Sequence, residues 1–191
     1  MVERASALEG YNAPRHFGLI GASGPGIRLS ERPLASLWLI AAWPERLAET
    51  GAAAARAAGV DAAPGPGASA TGSGGTLLRA EPLKWLQIGE DELARPALDA
   101  ADGTVLELSH ARTVIHVSGA NALDLMARMV PLDLRPAAFP EGSVANTGLH
   151  HVGVTILARD GGFDIFVLRS FGLAVWEMLI ESAAQFGAEI R

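Results

Sequence analysis

Two hydrophobic periods alternate along this chain of 191 residues. From residue 103 onward they are sharp. "GTVLELS" (103–109) and "ARTVIHVSG" (111–119) alternate polar and apolar positions and predict two strands. "SGANALDLMARMV" (118–130) then places Leu123, Met126, Met129 and Val130 at helical spacing behind a Ser118/Gly119 start. "PLDLRPAAFPEG" carries three prolines and predicts a connecting loop. "SVANTGLHHVGVTILARDGGFDIFVLRS" (143–170) predicts two or three strands, with Asp160-Gly161-Gly162 supplying a hairpin turn. The final stretch, "SFGLAVWEMLIESAAQFG", predicts a closing helix capped by Ser170 and ended by Gly187. Its apolar stripe is Phe171, Val175, Met178 and Leu179, with Trp176 and Phe186 at the margins.

The first half is less regular. "LASLWLIAAW" (34–43) is a short apolar run that predicts a buried strand, and "PERLAETGAAAARAAGV" (44–60) predicts a helix with proline at its first position. "PGPGASATGSGG" (64–75) has loop composition, "TLLRAE" and "KWLQIG" predict strands near a turn at Pro82, and "EDELARPAL" reads as a short helical or irregular connector. Residues 1–30 are rich in Gly, Pro and Ser without a period, and predict an extended arm. The domain reading is therefore an arm at 1–30 followed by one domain at 31–191, with halves 31–102 and 103–191. The fold class is α+β, an antiparallel sheet or sheets with helices packed on one face, and two related small halves are compatible with the element order.

Composition narrows the chemistry. Hydrophobic residues make up 49% of the chain and charged ones 19%, which marks a globular protein, and the net charge of −6 comes without any Lys/Arg cluster able to track a phosphate backbone. Cysteine is absent, which removes disulfides, thiolate nucleophiles and Cys-ligated metals. The N-terminal stretch carries Glu3 and Glu9 and no continuous apolar core, so it does not read as a signal peptide. The longest apolar run, Leu34 to Trp43, falls far short of the ~20 residues of a membrane span. A cytoplasmic protein is expected.

Candidate sites then fail one by one. His150 and His151 stand adjacent in "GLHHVGVTI", read as a packed strand, and strand alternation sends them to opposite faces, away from a shared metal. His110 and His116 share strand parity but lie roughly 20 Å apart at ~3.3 Å per residue. Gly21, Gly24 and Gly26 have the wrong spacing for a dinucleotide loop, and Pro25 occupies the position where its helix would begin. No G-x-S-x-G elbow exists. Lys84, the single lysine, reads as a surface residue lying over Trp85. Asp124, Asp133, Asp160 and Asp164 are scattered over helix, loop and strand-end positions, and Trp38, Trp43, Trp85 and Trp176 read as core or interface. No catalytic, cofactor-binding or metal-binding residue is assigned.

One resemblance runs through the chain. "PLDLRPAAFPEGS" (131–143), "TGLHHVGVTI" (147–156) and "FVLRSFGLAVWEML" (166–179) follow one another as in the gamma subunit of heterotetrameric sarcosine oxidase. "GIRLSERPLASLWLI" (26–40) and "LKWLQIGEDE" (83–92) resemble that family's N-terminal half, so the likeness covers roughly 26–187. It implies a fold related to the folate-binding aminomethyltransferases and a non-catalytic, structural subunit of a complex that demethylates sarcosine oxidatively and passes the one-carbon unit to tetrahydrofolate. It also implies alpha, beta and delta partner subunits, with FAD, FMN, NAD, tetrahydrofolate and zinc held by them and none by this chain. The arm and Phe139 are expected to supply contacts to partners. Two alternatives stay open: a gamma-type subunit of a related N-methyl amino acid dehydrogenase, such as one acting on N-methylglutamate, and a free-standing folate-binding domain.

Overall fold

The computed structural model describes residues 5–22 and 24–191. The elements, in chain order, are β1 (Arg15–Phe17), β2 (Ile27–Arg32), β3 (Ser36–Ala42), α1 (Leu47–Ala58), β4 (Ala68–Gly72), β5 (Gly75–Glu81), β6 (Lys84–Gly89), β7 (Gly103–Glu107), β8 (Arg112–Ser118), α2 (Ala122–Met129), β9 (Val144–Leu149), β10 (Val152–Arg159), β11 (Gly162–Leu168), α3 (Gly172–Ala183) and β12 (Ala188–Ile190). They form a seven-stranded sheet, β1-β12-β2-β8-β11-β10-β9, and a five-stranded sheet, β4-β5-β6-β3-β7. This is the expected α+β class.

The chain divides into two units, but not at the expected boundaries. One comprises the described residues up to Arg32 with 110–141 and 146–191, and the other Pro33–Ser109 with Gly142–Ala145. The described part of the expected arm belongs to the first unit. β1 pairs with β12 antiparallel, and β2 lies between β12 and β8, parallel to the former and antiparallel to the latter. Its Leu8, Ile27 and Leu29 are fully buried. Short strands that complete a sheet need little local periodicity, because their partners lie more than 80 residues away.

In the first unit, alternation puts Ile27, Leu29, Ile115, Val117, Phe163, Ile165 and Val167 on one sheet face. There they pack with Leu125, Met126 and Met129 of α2 and Val175, Trp176, Leu179 and Ala183 of α3. The α3 stripe is therefore rotated from the expected one: Trp176 is fully buried, while Phe171 is 45% exposed. Ser170 does not cap the helix. A 3₁₀ turn, Arg169–Phe171, leads into it and no side-chain cap bond forms. At the other end Gly187 (φ 65) breaks the following 3₁₀ turn as expected.

The second unit packs Ala54 and Ala58 of α1 against Ile40, Leu77 and Trp85 of the five-stranded sheet. Small residues allow the close approach, with Gly51 facing the Trp85 ring directly. The 64–75 segment, read as a loop, supplies edge strand β4, in register with β5 from Ala68↔Arg79 to Gly72↔Gly75. An edge strand needs only ladder bonds on one side, so small polar residues suffice. The connector at 90–98 is irregular.

The histidine pair is the clearest departure. His150 and His151 form the two-residue turn between β9 and β10, both exposed, with His150 in the left-handed region at φ 49. Its N–H donates to the Met129 carbonyl (3.2 Å). The apolar run is thus two strands and a turn, and the opposite-faces reading does not apply.

Candidate functional site

The opposite face of the seven-stranded sheet holds the chain's densest charge cluster. Registers Ser30↔His116 and Asp164↔His116 bring β2, β8 and β11 into one row there. Asp164 is 1% exposed and His116 8%. The Asp164 Oδ1 accepts from Arg32 Nε at 2.8 Å and lies 2.7 Å from His116 Nδ1. Arg32 Nη2 reaches Asp160 Oδ2 at 2.6 Å, and Arg159 Nε stands 3.3 Å from that same oxygen. The buried Asp164 Oδ2 has no hydrogen-bond partner, and Arg159 Nη1 stands 4.0 Å from it.

One geometric conflict fixes a proton. Arg32 Nη2 also lies 3.2 Å from His116 Nδ1. A guanidinium only donates, so that contact is a hydrogen bond only if Nδ1 carries no proton, whereas the shorter contact to a carboxylate requires that it does. The 2.7 Å charge-assisted bond wins. Nδ1 is therefore protonated, and Arg32 directs Nη2 to Asp160. Arrayed this way, the cluster ties β2, β8 and β11 and the Asp160 turn together, from the buried Asp164 out to the exposed Asp160.

This constellation escapes sequence reading because its members are far apart, 132 residues in the case of Arg32 and Asp164. A signal existed: "TVIHVS" and "GFDIFV" each set one polar residue in a strand apolar on both sides. A buried strand charge demands a partner.

The other expectations fall at separate places. Lys84 Nζ pairs with Glu81 at 2.6 Å on the surface, and the cation over Trp85 is Arg79, 4.7 Å from the ring centroid. Trp85 and Trp176 are buried in different units, Trp38 donates to the Leu93 carbonyl, and Trp43 is 45% exposed. Asp124 accepts from Asn121. Asp133 is held well below the usual carboxylate range, at about 2, first by its side-chain bond from Arg135 and then by the Arg135 backbone N–H. On β12, Glu189 is lowered chiefly by Arg191, and burial lowers Arg112. Gly21 and Gly24 bridge each other in a tight loop, and Ser23 lies outside the described residues. Phe139 is partly buried and packs against the core of its own unit. It lines a cavity of about 330 Å³ with Leu134 and Phe163, where Glu141 accepts from the Asp160 N–H at 2.7 Å. Among the described residues, no group of three His, Asp or Glu is placed to hold a metal, and no helix is long and apolar enough to cross a membrane.

The fold has known counterparts. Over 96% of this chain and 96% of the other, it matches a chain of heterotetrameric sarcosine oxidase from Corynebacterium sp. U-96, solved with pyrrole 2-carboxylate, at TM-score 0.74 and 22% identity. The likeness is one of fold. Aminomethyltransferase T of the glycine cleavage system from Bartonella henselae shares it at TM-score 0.60 and 14% identity, with 93% of this chain covering 58% of that enzyme. No family model matches the sequence, and no curated protein does. The sarcosine-oxidase and aminomethyltransferase resemblance read from sequence is thus met by the fold.

Proposed function

We propose that this chain is the gamma-type, non-catalytic subunit of a heteromeric sarcosine-oxidase-type oxidoreductase. In this reading it is a cytoplasmic assembly subunit, and its alpha, beta and delta partners carry FAD, FMN, NAD, tetrahydrofolate and zinc. The reaction of the whole is oxidative demethylation of sarcosine, with N-methylglutamate-type substrates as the related case. The observation that carries the reading is the coverage: the chain matches a chain of the heterotetramer end to end, but only 58% of the stand-alone aminomethyltransferase. Near-complete mutual coverage of a chain of the heterotetramer supports the assembly role. The charge cluster supports the same role, since its carboxylate and imidazole are buried and spent on each other.

Affinity purification of the tagged chain from its native cells tests this. Recovery of larger flavin-bearing and folate-binding chains in fixed ratio is the expected result, and recovery of the chain alone would overturn it. The aminomethyltransferase likeness over 93% of the chain favours one second reading, a self-sufficient folate-binding domain. Micromolar binding of a reduced folate to the isolated chain would select it.

A further inference from the structure

We propose that the groove beside the start of α3 docks an acidic, apolar segment of a partner polypeptide, with Arg169 as its charged anchor; this rests on the subunit reading above. The groove has a volume of about 670 Å³, walled by Ala7, Leu168 and Leu173, with Ser6, Ser170 and Arg169 as its polar lining. Three features mark it as a binding surface and not a packing gap.

First, its frame is fixed. The Arg169 N–H donates to the Ala111 carbonyl at 3.0 Å. On the facing wall the Ser6 hydroxyl accepts from the Leu8 N–H at 2.8 Å and donates to Glu31, and Leu8 is fully buried. Gly172 holds the Ala7 wall close to α3: a Cβ there would meet Thr113 Oγ1 at 3.1 Å and Ala7 Cβ at 3.2 Å. A preorganised groove spends little free energy on ordering when it binds.

Second, exposed apolar side chains flank Arg169 along the chain, Leu168 in the groove's lining and Phe171 in the turn that leads into α3. Leu168 is 43% exposed and Phe171 45%. A small acid held in the groove would leave both in water, whereas a polypeptide segment covers them.

Third, the charge is unanswered. Most arginines of this unit face a carboxylate, as Arg32, Arg135 and Arg191 do. Among the described residues Arg169 makes no ion pair and no side-chain hydrogen bond, although the chain carries a net charge of −6. A guanidinium between two exposed apolar residues is suited to a partner carboxylate flanked by apolar side chains. The subunit reading makes the occupant a segment of a different chain, and self-association of the wild-type chain through this groove in the same sedimentation experiment would overturn that choice.

The test co-expresses the full chain with the larger chains of the proposed assembly and measures their dissociation constant by sedimentation. Arg169→Glu and Phe171→Ser are each expected to weaken association about tenfold or more, and Arg169→Lys less. Arg191→Glu, at a side chain that pairs with Glu189 of β12, is the charge-reversal control and is expected to leave it unchanged. Circular dichroism melting of each free variant at the wild-type temperature separates docking from folding. Association of Arg169→Glu and Phe171→Ser at wild-type strength would overturn the groove while leaving the subunit reading intact. A wild-type chain that joins no assembly would overturn both.

Discussion

Removing the Asp164 carboxylate takes away the buried acceptor that Arg32 Nε and His116 Nδ1 share, while Arg32 keeps its pair with Asp160. Asp164→Ala is therefore expected to destabilise the chain by about 3 kcal/mol, the loss of two charge-assisted hydrogen bonds at a buried site. That lowers the melting temperature by roughly 10 °C for a protein of this length. Replacing all three with apolar residues (Arg32→Met, His116→Leu, Asp164→Leu) is expected to recover most of the loss, because an apolar core of the same volume needs no partner. Thermal melts of both variants decide the point; a triple variant no better than Asp164→Ala would show that the cluster contributes more than mutual compensation. Asp133 gives a second test. Its carboxyl lies at about 2 instead of the ordinary 3.8, so the folded state holds it deprotonated more strongly than the unfolded one does. Its contribution to stability is complete above pH ~4 and disappears as pH falls toward 2. An NMR titration is expected to find its midpoint near 2, and Arg135→Ala to return it to the usual carboxylate range.

Two turns show how legibility varies between elements. Asp160-Gly161 joins β10 to β11 with both residues left-handed, at φ 55 and 68, in the register Arg159↔Gly162. An Asp-Gly pair has few other uses between two apolar runs, so that hairpin is readable from the chain. His150-His151 makes a comparable connection with residues that carry no turn signature. The left-handed strain of His150 is imposed by the strands on either side, which is why the segment reads as one continuous strand. His150→Gly is accordingly expected to stabilise the chain by up to about 1 kcal/mol, and His150→Val to destabilise it by a similar amount. Urea denaturation measures both; a destabilising glycine would mean that the imidazole makes a contact outweighing the strain. Helices and most central strands were legible because periodicity records a buried face. β1, β2, β4 and β12 were not, because short strands whose ladder partners lie far along the chain, or on one side only, record little local period. The Arg32–His116–Asp164 cluster was half legible: two polar residues were visibly out of place in apolar strands, but only the sheet order says that they meet.

At the scale of the molecule, the split into units follows the same logic. The seven-stranded sheet gathers both ends of the chain, with β2 and β12 side by side, so no boundary drawn along the sequence could have found it. The fold class, by contrast, follows from element order alone. The central claim is that this fold acts as a subunit and not as a catalyst by itself. Native mass spectrometry of the chain co-expressed with alpha-, beta- and delta-type chains tests it most directly. The account predicts one heteromeric particle containing this chain in whole-number ratio with flavin-bearing chains, and loss of the particle when this chain is omitted. A monomer that stays outside any such particle and instead retains a reduced folate one-to-one would contradict it.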